Sequence, residues 1–239
     1  MSSPILLILG AGSNIGDHVA RAFAAKDFRL ALASRKVPAN KPQDALHIPV
    51  DLSKPENVPH VFETVKAKLG SAPSIVVYNC ASHTPDNKAD PLANFSLEAY
   101  IPHQNLNHNS VLVALQQSVL GFRSLTDPAA AKTFIYTGNI LNAITLPERL
   151  TFGLGKNATA YAIRTLVEGE VYTAEGVSFY YTDERKSTGA PVIEDISGSA
   201  AAEEYVKLAE RTDQGPWLYT FVKGDGYKDF SGKGISVSV

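Results

Sequence analysis

One cysteine, Cys80, stands in 239 residues, so an internal disulfide is excluded and a reducing compartment is expected. Charge of neither sign dominates. Lys and Arg number 22, Asp and Glu 24, and the net charge is −2. That balance gives no electrostatic case for a nucleic-acid partner or an anionic membrane surface. The six histidines are mostly dispersed, and His103 and His108 lack Cys or carboxylate partners at ligand spacing, so no metal site is expected. No apolar run approaches the roughly 18 residues that a membrane span requires. The start, Met-Ser-Ser-Pro, carries no basic segment before its apolar run, so no signal peptide is expected and the cytoplasm is the expected location.

What the chain does have is a 44% hydrophobic composition with 19% charged residues, suited to a large core in one domain. Apolar runs of strand length alternate with stretches of helical period. Strands are predicted over 4–9, 28–33, 47–50, 74–79, 132–137, 177–182 and 217–222. Helices are predicted over 14–26, 57–69, 104–125, 153–173 and 200–211. Residues 85–91 and 183–199, rich in Pro, Gly and charge, read as loops, and a Gly/Lys-rich tail closes the chain. No internal repeat or linker divides it. The alternation predicts a single α/β domain of Rossmann type: a doubly wound, mainly parallel sheet of about seven strands. Ligands on such sheets bind beyond the carboxyl ends of the strands, where strand order reverses.

The first strand runs into Leu9-Gly10-Ala11-Gly12-Ser13-Asn14-Ile15-Gly16, which opens a helix. Glycines at 10, 12 and 16 permit a tight turn, backbone approach to a phosphate and close helix–strand packing. The helix N-terminus presents N–H groups and a partial positive charge to an anion. The second strand ends Ala33-Ser34-Arg35-Lys36. An acid here would suit the free 2′-hydroxyl of NAD(H). Arg35 suits a 2′-phosphate instead, so NADP(H) is the expected cofactor, ahead of NAD(H).

Over about residues 4–182 the chain resembles the short-chain dehydrogenase/reductase family. The glycine segment is similar to the family's Thr-Gly-x-x-x-Gly-x-Gly, with Leu9 for its Thr and Asn14 for its middle Gly. Asp51-Leu52 matches the family's adenine-contacting Asp. Asn79-Cys80-Ala81 resembles its Asn-Asn-Ala-Gly segment after the fourth strand, with Asn79 kept. Asn107, followed by Ser110, matches the helix Asn that in the family holds the catalytic lysine through a water. Phe152-Gly153-Leu154-Gly155-Lys156 falls where the family carries Tyr-x-x-x-Lys. The lysine is present and the tyrosine is not. The family's serine, which polarises the carbonyl, falls on Gly138 after the fifth strand, with Thr137 and Asn139 as neighbouring alternatives.

The resemblance therefore implies a degenerate active site built on Lys156, Asn107, Phe152 and Gly138. Tyr181 and Asp183, at the end of the sixth strand, are the candidate replacement proton donors. Tyr161 lies two and a half turns from Phe152, on the other side of the helix, and is expected in a core or an interface. Loss of a positioned general acid costs about 10²–10⁴-fold in rate. An iminium substrate escapes this cost, because hydride addition to it gives a neutral amine without a proton donor. The chain resembles fungal members of the family that lack the usual Ser and Tyr, some of which act on imine-type intermediates. The expected function is an NADP(H)-dependent oxidoreductase of a small organic substrate. The alternatives are a non-catalytic NADP(H) sensor or a non-redox enzyme on the same scaffold. The resemblance further implies a homodimer or homotetramer paired through the two long helices.

Overall fold

A computed structural model describes residues 3–231. Eight strands form one sheet in the order β3-β2-β1-β4-β5-β6-β7-β8. They are β1 Ile5–Leu9, β2 Arg29–Ser34, β3 Leu46–Pro49, β4 Ile75–Tyr78, β5 Thr133–Thr137, β6 Ser178–Arg185, β7 Leu218–Val222 and β8 Gly226–Tyr227. All pairs are parallel except β7 with β8, which is antiparallel. The expected doubly wound sheet is present. It has one strand more than the seven anticipated, because two residues of the glycine-rich tail fold back on β7.

Strand order reverses between β1 and β4, each hydrogen-bonded to the other. The crevice of such a sheet opens there. β1, β4 and the middle of β5 are buried on both faces, which accounts for their unbroken apolar runs. Helices α1 (Ile15–Ala24) and α6 (Gly198–Ala209) cover one face. Helices α2 (Val58–Leu69), α4 (Ser110–Arg123) and α5 (Leu150–Glu168) cover the other. In α1 the buried set is Gly16, Val19, Ala20 and Phe23, spaced at three and four residues as one helical face requires.

Three elements differ from expectation. The predicted helix 104–125 is instead α3 (Leu97–Gln104), a π-helical turn at Asn105–Asn109, then α4. The π turn widens the helix at Asn107. β6 continues three residues past Thr182, through Asp183, Glu184 and Arg185. Those charges read as a solvated loop, yet Asp183 and Arg185 pair side chain to side chain at 2.5 Å and are 4% and 1% exposed. A strand can carry two charges inward only when they neutralise each other. The long loop begins after Arg185 rather than at Asp183. Finally, α5 starts three residues early, since the Asp86 carboxylate takes the Thr151 backbone N–H at 2.9 Å and caps its first turn.

Candidate functional site

The turn after β1 has the geometry a phosphate site needs. Gly10 sits at φ +94°, in the left-handed region, and a Cβ there would meet the Asn79–Cys80 backbone at 2.8 Å. A Cβ on Gly16 would meet the Ala11 backbone at 2.9 Å, while Gly12 faces open space. Gly12, Ser13 and Asn14 are exposed, Ile15 is half-buried, and no side chain caps the first turn of α1. Its backbone donors are therefore free of side-chain competition. The Asn14 side chain is engaged elsewhere, donating to Ile196 O and accepting from Gly198 N. Asn79 donates to Gly10 O at 3.0 Å and ties β4 to the turn.

At the ends of β2 and β3, Arg35 and Asp51 line a second hollow of about 460 Å³. Arg35 is exposed and makes no hydrogen bond or ion pair among the described residues. The Asp51 carboxyl is held below its ordinary range, chiefly by the Ser53 side chain. Leu52 is buried, and its carbonyl accepts the Ser110 hydroxyl at 2.6 Å. This donor set fits a dinucleotide: an adenosine pocket with a cation beside it, then an anion-binding helix end. Burial pushes the Cys80 thiol up, so it is a poor nucleophile.

Beyond the carboxyl ends of β4, β5 and β6 lies a cavity of about 560 Å³. Asn79, Ala81, Gly138, Phe152, Lys156 and Asp183 all line it, so the structure brings these predicted residues to one place. Lys156 is 2% exposed. Its Nζ donates to Tyr136 Oη at 2.9 Å and to the Thr137 carbonyl at 3.1 Å. It lies 5.4 Å from the centre of the Phe152 ring. Burial draws its pKa down to about 7, against the opposing pull of Asp183. Burial likewise raises Asp183 to about 6, although Arg185 favours the carboxylate.

Asn107 does not reach the lysine. Its side chain clamps Ser82, accepting from Ser82 N and donating to Ser82 O at 2.6 Å. Its carbonyl, in the π turn, accepts from Tyr136 Oη at 3.3 Å and from Thr159 Oγ1 at 2.9 Å. Among protein groups, Lys156 is linked to Asn107 through the Tyr136 hydroxyl. A side chain at Gly138 has no room in this packing. A Cβ there would stand 2.0 Å from Tyr181 Cε1. Tyr181 is fully buried, and its hydroxyl is engaged by Asn139, donating to its carbonyl and accepting from its N–H. Tyr161 is 73% exposed and in no core. His103 bonds Thr84, and His108 approaches Thr159.

Sequence reasoning missed His83, Glu148, Arg149 and Tyr205, all of which line the cavity. The His83 ring stacks on Phe152 with centroids 4.5 Å apart and planes 13° apart. Arg149 donates to His83 Nε2, so Nδ1 carries the ring proton. Burial and the Arg149 charge hold His83 below its ordinary pKa, hence neutral at pH 7. No spacing in the sequence links residues 83, 149 and 152. Asp86 does so in space, by pinning the loop after β4 to the start of α5. Tyr205 on α6 bonds both Thr137 and Thr182 hydroxyls, at 2.8 and 2.7 Å.

Residues 4–123 match the sequence model of the family described as short chain dehydrogenase. The chain is 40% identical to the short chain dehydrogenase/reductase dmxR12 of Cryptosporiopsis sp. (strain 8999), with 96% of each protein covered. The protein belongs to the short-chain dehydrogenase/reductase family. Its fold agrees with that of a 3-oxoacyl-[acyl-carrier protein] reductase from Brucella melitensis, at 17% identity and a TM-score of 0.74, covering 87% of this chain and 90% of that one. The NADH-dependent reductase A1-R′, solved as a complex with NAD, gives a TM-score of 0.72 at 17% identity, covering 87% and 89%. The family is one of oxidoreductases that bind a nicotinamide dinucleotide. No helix among the described residues is long and apolar enough to cross a membrane.

Proposed function

We propose that the protein is an NADP(H)-dependent oxidoreductase that works without the family's Ser and Tyr, reducing an imine or carbonyl carbon of a small organic molecule. The observation that carries this reading is Lys156. It stands at the floor of the large cavity with two of its donors fixed, beside a Phe152 ring that has no proton to give.

The dinucleotide would lie with its adenosine against Asp51 and Leu52, its 2′-phosphate by Arg35, and its pyrophosphate on the Gly10–Gly16 turn. Ser13, Asn14 and Ile15 would offer backbone there, and Asn79, Cys80 and Ala81 would support the inner half. When bound, it supplies the hydride. Lys156 donates one N–H to Tyr136 Oη and one to Thr137 O, which leaves its third for a ribose hydroxyl. Tyr136 Oη in turn donates a hydrogen bond to the Asn107 carbonyl, so the lysine is held by a line of hydrogen bonds running to Asn107. Asp183, Glu184 and Lys156 stand on the cavity wall with pKa values displaced toward neutrality by burial. Asp183, raised to about 6, and Lys156, lowered to about 7, are placed to exchange a proton near pH 7. An iminium substrate needs none, which is why this substrate class is placed first.

The test is a titration with NADPH and, separately, NADH, followed by nicotinamide fluorescence, then NADPH oxidation with a panel of cyclic imines and ketones. Micromolar NADPH binding with turnover of an imine is the expected result. Binding without turnover would turn the reading into a cofactor sensor. Chemistry without a change in nicotinamide absorbance would make it a non-redox enzyme, and no binding would end it. The expected partner is a second copy of the chain, docked on α4 and α5. Leu112, Leu120, Leu154 and Tyr161 are exposed on these helices, at 42%, 53%, 49% and 73%. Light scattering of the eluted protein tests this, and a monomer would overturn it.

A further inference from the structure

An amide on the cavity wall is held rigidly and still has its donor free. Asn139 lines the cavity two residues beyond β5 and is half-buried. Its Oδ1 accepts from Leu141 N at 3.1 Å and caps a short turn at Ile140–Asn142. A backbone N–H only donates, so the amide oxygen faces Leu141 and Nδ2 points the other way. Nδ2 makes no hydrogen bond among the described residues. It is also open: the polar side-chain atoms both sealed and unpartnered among those residues are Asn142 Oδ1 and Glu148 Oε2. The other amide side chain on the wall differs, since Asn79 Nδ2 is engaged by Gly10 O at 3.0 Å.

The backbone beneath Asn139 is fixed on every side. Tyr181 Oη accepts from Asn139 N at 3.1 Å and donates to its carbonyl at 2.9 Å. Leu141 O accepts from Asn157 Nδ2 on α5 at 2.7 Å. Thr137 O, two residues back, accepts from Lys156 Nζ at 3.1 Å, so the amide and the lysine are set by one short stretch of chain. Much of the remaining wall is apolar. Ile140, Leu141 and Leu146 come from the connection between β5 and α5, and Val192, Ile193 and Ile196 from the strap between β6 and α6. In such surroundings a fixed dipole is weakly screened.

We propose that Asn139 is a catalytic residue whose Nδ2 donates to the carbonyl oxygen of an apolar substrate in this cavity. The proposal rests on the oxidoreductase reading and concerns its carbonyl arm, because an iminium ion has no lone pair to offer. Hydride addition at the carbonyl carbon moves the C=O π pair onto oxygen, with NADPH oxidised to NADP⁺. Asn139 keeps both its hydrogens and stabilises the alkoxide by hydrogen bonding. The alkoxide then takes a proton from the Lys156 ammonium, which solvent restores. A donor already aimed where charge develops contributes about 10²–10³-fold in rate.

The test compares 2-decalone with 2-methylenedecalin, which has the same shape and a CH₂ in place of the oxygen. Each is titrated by calorimetry into the protein alone and into the protein saturated with NADP⁺. Asn139→Asp keeps an oxygen for Leu141 N and loses the donor. It should weaken decalone binding, relative to methylenedecalin, by at least about fivefold. The infrared carbonyl stretch of bound ¹³C-labelled decalone gives a second readout that needs no variant. It should lie below that of the ketone in hexane, and Asn139→Asp should raise it. A stretch at the hexane position, an Asn139→Asp protein that binds both probes as the natural one does, or no measurable decalone binding to either form would each overturn the proposal. Failure of NADPH to bind would instead overturn the oxidoreductase reading, and the probe comparison on the free protein would still show whether Asn139 holds a carbonyl oxygen.

Discussion

The ring of Tyr181 occupies the space that any side chain at Gly138 would need, with Cε1 and Cζ at 2.0 and 2.3 Å from the position of a Cβ. Gly138 directly follows β5, Tyr181 lies on the paired strand β6, and Gly138 N donates to Thr182 O at 2.7 Å. The glycine and the tyrosine are therefore one packing unit. Restoring a serine at 138, the natural repair suggested by the family pattern, meets a wall. Gly138→Ser should destabilise the protein by about 1–3 kcal/mol or more, as overpacking does. Adding Tyr181→Val should recover part of that loss. A double-mutant cycle by chemical denaturation checks it, and additive losses would show that the two residues are not coupled.

Cofactor choice should follow Arg35. The side chain has no partner among the described residues and lines, with Asp51, the hollow proposed for adenosine. Arg35→Glu should weaken NADPH binding by about 10–100-fold and change NADH binding by less than about threefold. Fluorescence titration of both cofactors gives the comparison. Equal losses for the two would show that Arg35 supports the fold and does not read the phosphate.

Lys156 links cofactor site to stability. Its pKa falls from the ordinary 10.5 to about 7 because burial disfavours the ammonium. Between those values the unfolded chain binds the proton more readily than the folded one. Stability therefore rises with pH across this window and is lowest at its acid end. Lys156→Met removes the effect. Without cofactor, its stability relative to the natural protein should be higher at about pH 7 than at about pH 9.5, the gap changing by up to about 1.4 kcal/mol per pH unit. Denaturant melts at the two pH values measure this, and a gap independent of pH would show that the lysine does not titrate in that range.

Asp183 and Arg185 form a pair on β6 that is buried in the core edge of the cavity, at 2.5 Å. Arg185 also donates to Gly189 O at 2.9 Å and so anchors the start of the strap. Asp183→Asn leaves the guanidinium buried without its counter-ion and should cost about 3–5 kcal/mol. Asp183→Asn with Arg185→Met should return much of that. If Asp183→Asn alone melts like the natural protein, the pair is not part of the folded core.

The sequence by itself determined the sheet, the glycine turn and the lysine. Those features are local: unbroken apolar runs at β1, β4 and β5, a helical face at Gly16, Val19, Ala20 and Phe23, and a four-residue spacing between Phe152 and Lys156. Each is set by the pitch of a helix or the pleat of a strand, so each can be read along the chain. Tertiary structure decided what surrounds them. Charge at 183–185 reads as solvent-facing until Arg185 is seen to neutralise Asp183 inside the strand. Gly138 reads as the position of a lost serine, and only the structure shows that the ring of Tyr181, 43 residues on, fills the space a side chain there would need. His83 stacks on Phe152, and Glu148 stands unpaired on the cavity wall, because Asp86 joins two loops some sixty residues apart in sequence. Such contacts depend on where elements cross in space. Burial, pairing and the pKa values that follow from them arise only once those crossings are made.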